Sequence, residues 1–178
     1  MSDIYGTENA NSLVGTDAND NIFGYDGNDT LFGALGNDFI NGGDGSDWVI
    51  GGEGSDTLSG EAGDDLIAGI QGNDLIFGGA GNDFVAGGPG SDTLIGGSGA
   101  DSFPYGYPLD GLDTIADFNF QEGDKIVIFT ANFGIAAGDS SAIKYDSNTG
   151  TLSVNNNPIV NFVDHSAFDI TRDIVISS

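Results

Sequence analysis

Aspartate recurs at intervals of nine residues from Asp20 to Asp101 of this 178-residue chain. Ten carboxylates hold the same place in a repeated unit, and an amide takes that place in the first copy. These positions are Asn11, Asp20, Asp29, Asp38, Asp47, Asp56, Asp65, Asp74, Asp83, Asp92 and Asp101. Carboxylate and backbone carbonyl oxygens, without sulfur or imidazole, are the ligands of a hard cation. The pattern therefore predicts metal sites, and calcium suits a flexible, glycine-rich turn better than magnesium does.

The repeated unit covers residues 6–104 in eleven copies without an insertion. Its first position is always glycine, its fourth is glycine in nine copies, and its eighth is always apolar. The glycines permit the positive φ of a tight turn. The last three residues of a copy, such as Trp48, Val49 and Ile50, favour a short strand in which the eighth side chain points inward.

Two copies make one coil of eighteen residues, so eleven copies predict a stack of five and a half coils. The expected fold class is all-β, a parallel β-roll. The eighteen-residue period separates the aspartates onto two edges, one with Asp20 and Asp38, the other with Asp29 and Asp47. Adjacent coils stack at about 4.8 Å, and carboxylates at that spacing repel each other by roughly 1 kcal/mol in water. Cations between the coils would remove this repulsion.

The net charge of the chain also indicates that it binds cations. The net charge is −25, and no lysine or arginine precedes Lys125. Such a surface excludes nucleic acid and anionic lipid as partners. Filling the gaps along both edges takes roughly eight calcium ions. Burial of eleven apolar side chains does not offset the entropy lost in ordering so glycine-rich a chain. We therefore expect the repeats to be disordered without calcium and to fold on binding it.

The repeated unit fades after Pro104. We divide the chain into a roll of residues 1–104 and a C-terminal β cap of residues 105–178. Asp110 and Leu112 still fit the sixth and eighth positions of a twelfth copy, so Asp110 is a candidate terminal ligand. Beyond it, alternating apolar residues and a turn at 146–150 predict ordinary strands. These strands are expected at 114–118, 125–129, 142–145, 151–154, 159–163 and 174–176.

Apolar residues also occupy the outward seventh and ninth positions. On the face made by the odd-numbered copies they form a continuous stripe, consisting of Val14, Phe32, Trp48, Ile50, Leu66 and Phe84. A stripe of this length indicates a covered surface. We expect the C-terminal segment to fold over this odd face, with Trp48 at its centre. A homodimer contact or a docked partner is the alternative.

The units at 42–50 and 78–86 resemble the repeats of the RTX, or hemolysin-type calcium-binding, family. The resemblance implies that the aspartates bind calcium in sites shared between neighbouring coils. It also implies that carbonyl oxygens near the first, second and fourth positions complete those sites. The glycines assigned to the ligand set are Gly24, Gly27, Gly33, Gly36, Gly42, Gly45, Gly51, Gly54, Gly60, Gly63, Gly69, Gly72, Gly78, Gly81, Gly87, Gly90, Gly96 and Gly99.

Residues 113–118 and 123–126 resemble the capping region that follows the rolls of secreted proteases, lipases and alginate epimerases. RTX proteins usually leave Gram-negative bacteria by type I secretion, which reads an uncleaved C-terminal signal, and residues 169–178 are similar to such a signal. The resemblance therefore implies a secreted bacterial protein, with calcium and the type I secretion machinery as partners. No segment has the length and apolar character of a membrane span.

The sequence favours a protein that is not an enzyme. His165 is the only histidine, so a zinc site with two histidines is excluded. Ser98 does not lie in a Gly-x-Ser-x-Gly turn. The leading hypothesis is a secreted calcium-binding roll. The alternative is a calcium-dependent carbohydrate-binding or accessory module of an extracellular enzyme or adhesin. An enzyme with its site in residues 105–178 is a third hypothesis.

Overall fold

A computed structural model describes residues 1–106, 111–136, 140–163 and 168–177. Strands dominate this part of the chain, together with a 3₁₀ turn at Thr130–Phe133 and a short helix α1 at Ile170–Asp173. The strands are β1 (Asp3–Tyr5), β2 (Ser12–Val14), β3 (Asn21–Asp26), β4 (Thr30–Leu35), β5 (Phe39–Asp44), β6 (Trp48–Glu53), β7 (Thr57–Ala62), β8 (Leu66–Gln71), β9 (Leu75–Ala80), β10 (Phe84–Ala86), β11 (Thr93–Ser98), β12 (Ser102–Tyr105), β13 (Asp113–Ile115), β14 (Lys125–Phe129), β15 (Ile143–Asp146), β16 (Thr151–Val154), β17 (Asn157–Phe162) and β18 (Ile174–Ser177).

The strands of the repeats form two parallel sheets. Each strand pairs with the strand eighteen residues further along, as in the register Ile22↔Ile40 or Val49↔Ile67. The odd-numbered strands β1 to β13 lie in one sheet and the even-numbered strands β2 to β14 in the other. Successive strands alternate between the sheets, so the chain winds as a solenoid of about six turns. The prediction of a parallel β-roll is confirmed.

Most strands are longer than the sequence predicts. A strand of three residues was expected at the end of each copy, but β3 to β9 and β11 each contain six. The pairing continues through the first glycine into the second and third positions of the next copy, as in Tyr25↔Gly43 and Asp26↔Asp44. The expected length was wrong because backbone pairing does not stop where the apolar side chains end.

The interior is a double column of eighth-position side chains. From Ile22 to Phe103 every one of them is at most 1% exposed, whereas Leu13 at the end of the stack is only partly buried. Ile115 and Ile126 continue the two columns beyond the repeats and are fully buried. Because no single coil has a closed interior, each buries its apolar side chain only against its neighbours.

The C-terminal strands lie close to their predicted positions. The observed β13 to β18 overlap all six expected segments, and β15 and β16 form the expected antiparallel hairpin across residues 146–150. Strands β13 and β14 continue the two sheets of the roll. Strand β17 pairs parallel to β13, and β16 and β15 follow it as antiparallel strands of the same sheet. Leu112 was expected inside the roll, but it is exposed and Ile115 takes the interior place.

The odd face is exposed, contrary to our expectation. Trp48 is 57% exposed, and Val14, Phe32 and Phe84 also face solvent. The prediction that the C-terminal segment covers this face was wrong, because that segment extends the stack along its axis. The residues that the structure describes include no helix long and apolar enough to cross a membrane.

Candidate metal sites between the coils

The ladder aspartates are buried and face the gap between adjacent coils. Those from Asp20 to Asp101 are at most 3% exposed. The backbone N–H of each donates to Oδ1 of the aspartate one coil further on, for example from Asp38 to Asp56 at 2.7 Å and from Asp47 to Asp65 at 2.8 Å. The predicted separation into two edges is therefore what the structure shows. The hydrogen bond from the backbone N–H fixes Oδ1 in place, so Oδ2 is the oxygen that can contact other partners.

The second carboxylate oxygen lacks such a partner in the middle of the roll. Among the residues that the structure describes, Oδ2 is buried without a hydrogen-bond donor in a regular series of these side chains. They are Asp29, Asp38, Asp47, Asp56, Asp65, Asp74, Asp83 and Asp101. A buried anionic oxygen without a donor is costly unless a positive charge compensates it. These oxygens therefore fit the oxygen-rich site of a hard cation such as calcium.

The first glycine of each copy makes room for converging oxygens. A Cβ on Gly24 would lie 2.3 Å from Oδ2 of Asp29 and 2.4 Å from the carbonyl oxygen of Gly42 in the next coil. The same holds at the fourth position, where a Cβ on Gly45 would lie 2.1 Å from the carbonyl oxygen of Gly27. Carboxylate and carbonyl oxygens of two coils thus meet in spaces that only glycine leaves open.

Side chains alone do not complete a metal site here. The described residues contain no group of three or more His, Cys, Asp or Glu side chains able to hold an ion by themselves. Backbone carbonyls would have to supply most of the ligands. The glycine content of the turns agrees with that requirement, because it lets carbonyl oxygens approach closely.

Burial shifts the protonation of the ladder carboxyls. It raises the pKa of Asp47, Asp56, Asp65, Asp74, Asp83 and Asp101 to about 6, because removal from water disfavours the charged form. Backbone hydrogen bonds oppose this shift, and the neighbouring aspartates add to it. A bound cation would reverse the balance by favouring the carboxylate.

The two ends of the roll differ from its middle. Asp20 accepts hydrogen bonds at both oxygens, and a hydrogen bond from Thr16 is the main cause that lowers its pKa to about 2. Asn11, our candidate for an end site, uses its Oδ1 to accept from the N–H of Thr7 at 2.6 Å. Asp20 and Asn11 therefore have a protein donor at the oxygen that corresponds to Oδ2 of the middle aspartates, which has none.

At the other end, three cap aspartates that we did not predict continue the site. Oδ1 of Asp113 accepts from the N–H of Asp92 at 2.9 Å, and Oδ1 of Asp124 accepts from the N–H of Asp101 at 3.0 Å. Asp117 accepts from the N–H groups of Gly96 and Gly97, both at 2.9 Å. For Asp113 and Asp124 the available signal was the spacing Asp-x-Ile, which repeats the sixth and eighth positions without the glycines. The predicted ligand Asp110 lies outside the described residues, as does His165.

A second ladder, at the fifth position, was also missed. Seven side chains there accept from the fifth-position N–H of the following coil, for example Asn37 from Ser55 and Asn82 from Ala100, both at 3.0 Å. The direction is opposite to that of the aspartate ladder. The fifth position is Asn, Ser or Asp in nine of the eleven copies, and this preference was the available signal.

The fold and these edges define a class of protein, a parallel β-roll built from short repeats whose carboxylates line the gaps between coils. The RTX calcium-binding nonapeptide repeat (4 copies) matches the chain at residues 5–40, 41–74 and 69–103. The chain belongs to this family of calcium-binding repeats. The proposed resemblance is thereby confirmed.

The solved structures that resemble the chain include the following two. One is the solution structure of the AlgE6R3 subunit from the Azotobacter vinelandii mannuronan C5-epimerase, with 22% identity and a TM-score of 0.39 over 96% of this chain and 80% of that one. The other is the crystal structure of the extracellular lipase LipA from Serratia marcescens, with 16% identity and a TM-score of 0.43 over 98% of this chain. The chain spans 40% of the length of the lipase. No curated protein sequence matches the chain.

Proposed function

We propose that this protein binds several calcium ions outside the cell and that the binding drives the folding of its roll. The observation that carries the proposal is the series of buried Oδ2 atoms without a donor. The chain cannot neutralise them itself, because no lysine or arginine precedes Lys125. The interior aspartates supply the side-chain ligands, and carbonyl oxygens at the first, second and fourth positions supply the rest. Roughly eight ions fill the gaps between adjacent aspartates on the two edges.

The residues act by holding oxygens in place. The N–H of each ladder residue fixes Oδ1 of the next, so Oδ2 faces the neighbouring glycine at a set position. The charge that calcium supplies lets the coils approach without carboxylate repulsion. Folding and binding are then one equilibrium, and the affinity for calcium includes the cost of ordering the turns.

The test is to count bound calcium and to follow folding together. We expect far-ultraviolet circular dichroism to show a disordered repeat segment in chelator and β-structure after calcium is added. Asp56→Asn should reduce the number of ions and raise the calcium midpoint, because it removes the charge of a buried ligand. Asp26→Asn is the matched control, since Asp26 is an aspartate of the repeats whose side chain is exposed. A roll that is fully ordered in excess chelator at about pH 8 contradicts the proposal.

We further propose type I secretion from a bacterium, with the signal in residues 169–178. The family repeats are typical of secreted proteins, and a chain without calcium in the cytosol would stay unfolded for export. In this structure the segment contributes α1 and the final strand β18, which pairs with β14. Deleting residues 169–178 should abolish export by a type I exporter while it leaves cellular expression unchanged. Equal export with and without the segment contradicts this assignment.

The proposed role is not enzymatic. The buried carboxyls of the roll repeat one arrangement from coil to coil, whereas an active site combines different groups in different roles. Their regularity fits ligation better than catalysis.

Calcium-dependent carbohydrate binding is the second candidate, and one surface favours it. Tyr5 and Tyr25 are 57% and 49% exposed, and Tyr5 stacks on Phe23 at 5.5 Å between ring centroids. Tyr25 also keeps a positive φ of 77°, a conformation that costs a non-glycine residue about 1–2 kcal/mol. A glycan array in calcium and in chelator tests this candidate, with Tyr25→Gly as the variant expected to lose binding. Signals that do not depend on Tyr25 contradict it.

A further inference from the structure

Asp20, the first aspartate of its ladder, accepts hydrogen bonds at both of its carboxylate oxygens. Oδ2 of Asp20 accepts from the backbone N–H of Thr16 at 2.7 Å and from its hydroxyl at 2.6 Å. Oδ1 of Asp20 accepts from the N–H of Ser2 at 2.6 Å. In the next aspartate of the same edge, Asp38, Oδ2 is buried without a donor. Two side chains of the same ladder are therefore satisfied in different ways.

The position of the carboxylate differs accordingly. In the middle of the roll, Oδ2 of Asp56 lies 2.3 Å from the place where a Cβ on Gly51 would stand, and Oδ2 of Asp83 lies 2.5 Å from the equivalent place on Gly78. For Asp20 and Gly15 this distance is 3.3 Å. The carboxylate of Asp20 has moved away from the converging oxygens and towards Thr16.

The backbone at the second position accounts for this difference. From the third copy to the eleventh, the second residue has a positive φ whatever its type, for example 77° at Tyr25, 86° at Ala34 and 106° at Gly43. Thr7 and Thr16, at the second position of the first two copies, are not in that region. In both of them the backbone N–H donates to the sixth-position side chain of the same copy, Asn11 or Asp20.

We propose that Thr16 marks the N-terminal limit of the calcium array, because its two hydrogen bonds take the place of a cation at Asp20. Thr7 also donates its N–H to Asn11, but Oδ1 of Asn11 keeps the interior position, 2.3 Å from the place of a Cβ on Gly6. On the edge that contains Asp20, the calcium sites then begin with Asp38. This inference rests on the proposed function, since it assumes that the interior aspartates are calcium ligands.

The first test compares two aspartates that sit in the same ladder. Bound calcium is counted by native mass spectrometry on the full chain in saturating calcium, for the wild type, Asp20→Asn and Asp56→Asn. We expect Asp20→Asn to keep the wild-type count and Asp56→Asn to lose at least one ion. Equal losses in both variants overturn the inference and leave the proposed function standing. No loss in either variant overturns the proposed function, and this inference with it.

The second test addresses Thr16 directly. Thr16→Gly removes the hydroxyl donor and permits the positive φ seen in the later copies, so Asp20 should gain a calcium ion and the count should rise by one. Ala34→Gly is the matched control, because it places glycine at a second position that already has a positive φ. Its ion count should not change. An unchanged count in Thr16→Gly overturns the role of Thr16.

Discussion

Asp124 accepts a hydrogen bond from the backbone N–H of Asp101 at 3.0 Å, so one aspartate ladder continues into a segment without glycine repeats. Its other oxygen accepts from the N–H of Asn119 at 2.7 Å. The side chain is 2% exposed, and burial raises its pKa to about 6. A single carboxyl therefore joins the last coil of the repeats to the strand β14 that follows it.

Replacing this carboxyl should weaken the C-terminal end of the roll. Asp124→Ala leaves two backbone donors without their acceptor, and we expect the free energy of unfolding to fall by about 1–3 kcal/mol. Urea denaturation in saturating calcium, followed by circular dichroism, measures the loss. Asp124→Asn keeps one acceptor and should lose less. Asp26→Ala, at an exposed aspartate, is the control, and an equal loss there contradicts the role of Asp124.

Ile70 occupies a strained backbone position that glycine should improve. Its φ is 84°, whereas the equivalent residues Gly79 and Gly88 have φ values of 122° and 97°. The left-handed region is costly for a β-branched residue, so Ile70→Gly should raise the free energy of unfolding by up to about 1 kcal/mol. Ile70→Ala keeps a Cβ in that region and separates the backbone effect from the loss of the exposed side chain. The stability of both variants is measured by thermal unfolding in calcium. An Ile70→Ala variant that is more stable than Ile70→Gly contradicts this expectation.

The sequence predicted those features that depend on side-chain spacing alone. Ile40 and Ile67 lie inside because their position in the unit fixes the face of the strand, and the two aspartate edges follow from the same period. The six-residue strands were missed because hydrogen bonding across a glycine leaves no trace in side-chain type. Asp113 and Asp124 continue the two ladders. They were missed because they lie 21 and 23 residues after Asp92 and Asp101, instead of 18. Insertions of this kind change the register, so a spacing of 18 residues does not find Asp113, whose Oδ1 accepts from the N–H of Asp92.

The error over the odd face has a different origin. An apolar stripe shows that a surface is costly to expose, but it does not show where the rest of the chain goes. Strands β13 and β14 pair with the free edges of β11 and β12, because an unpaired edge presents a row of backbone donors and acceptors. Trp48 consequently stays at the surface.

The exposure of Trp48 can be tested by fluorescence, because it is the only tryptophan in the chain. In calcium, acrylamide should quench its emission nearly as well as that of a free indole, since its side chain is 57% exposed. The measurement is repeated over a range of protein concentrations. Strong protection at low concentration contradicts an open face. Protection that appears only as the concentration rises indicates that two copies meet through this face.

The raised pKa values predict that acid partly replaces calcium. The carboxyls of Asp47, Asp56, Asp65 and their equivalents have pKa values of about 6 in the metal-free fold, against an ordinary value of 3.8. The folded state therefore binds these protons more tightly than the unfolded chain. The resulting stability is fully present below pH 3.8 and is lost as the pH rises through about 6.

We therefore expect the calcium-free protein to gain β-structure when it is acidified from about pH 8 to about pH 4, with most of the change between the two pKa values. Circular dichroism on protein stripped of calcium measures it. In saturating calcium the cation replaces the proton, so the β-structure should persist at the higher pH. Asp83→Asn provides the internal control, because its neutral amide removes one titrating group and should make the acid transition shallower. A metal-free roll that becomes more ordered as the pH rises contradicts the assignment of these buried carboxyls as the groups that calcium compensates.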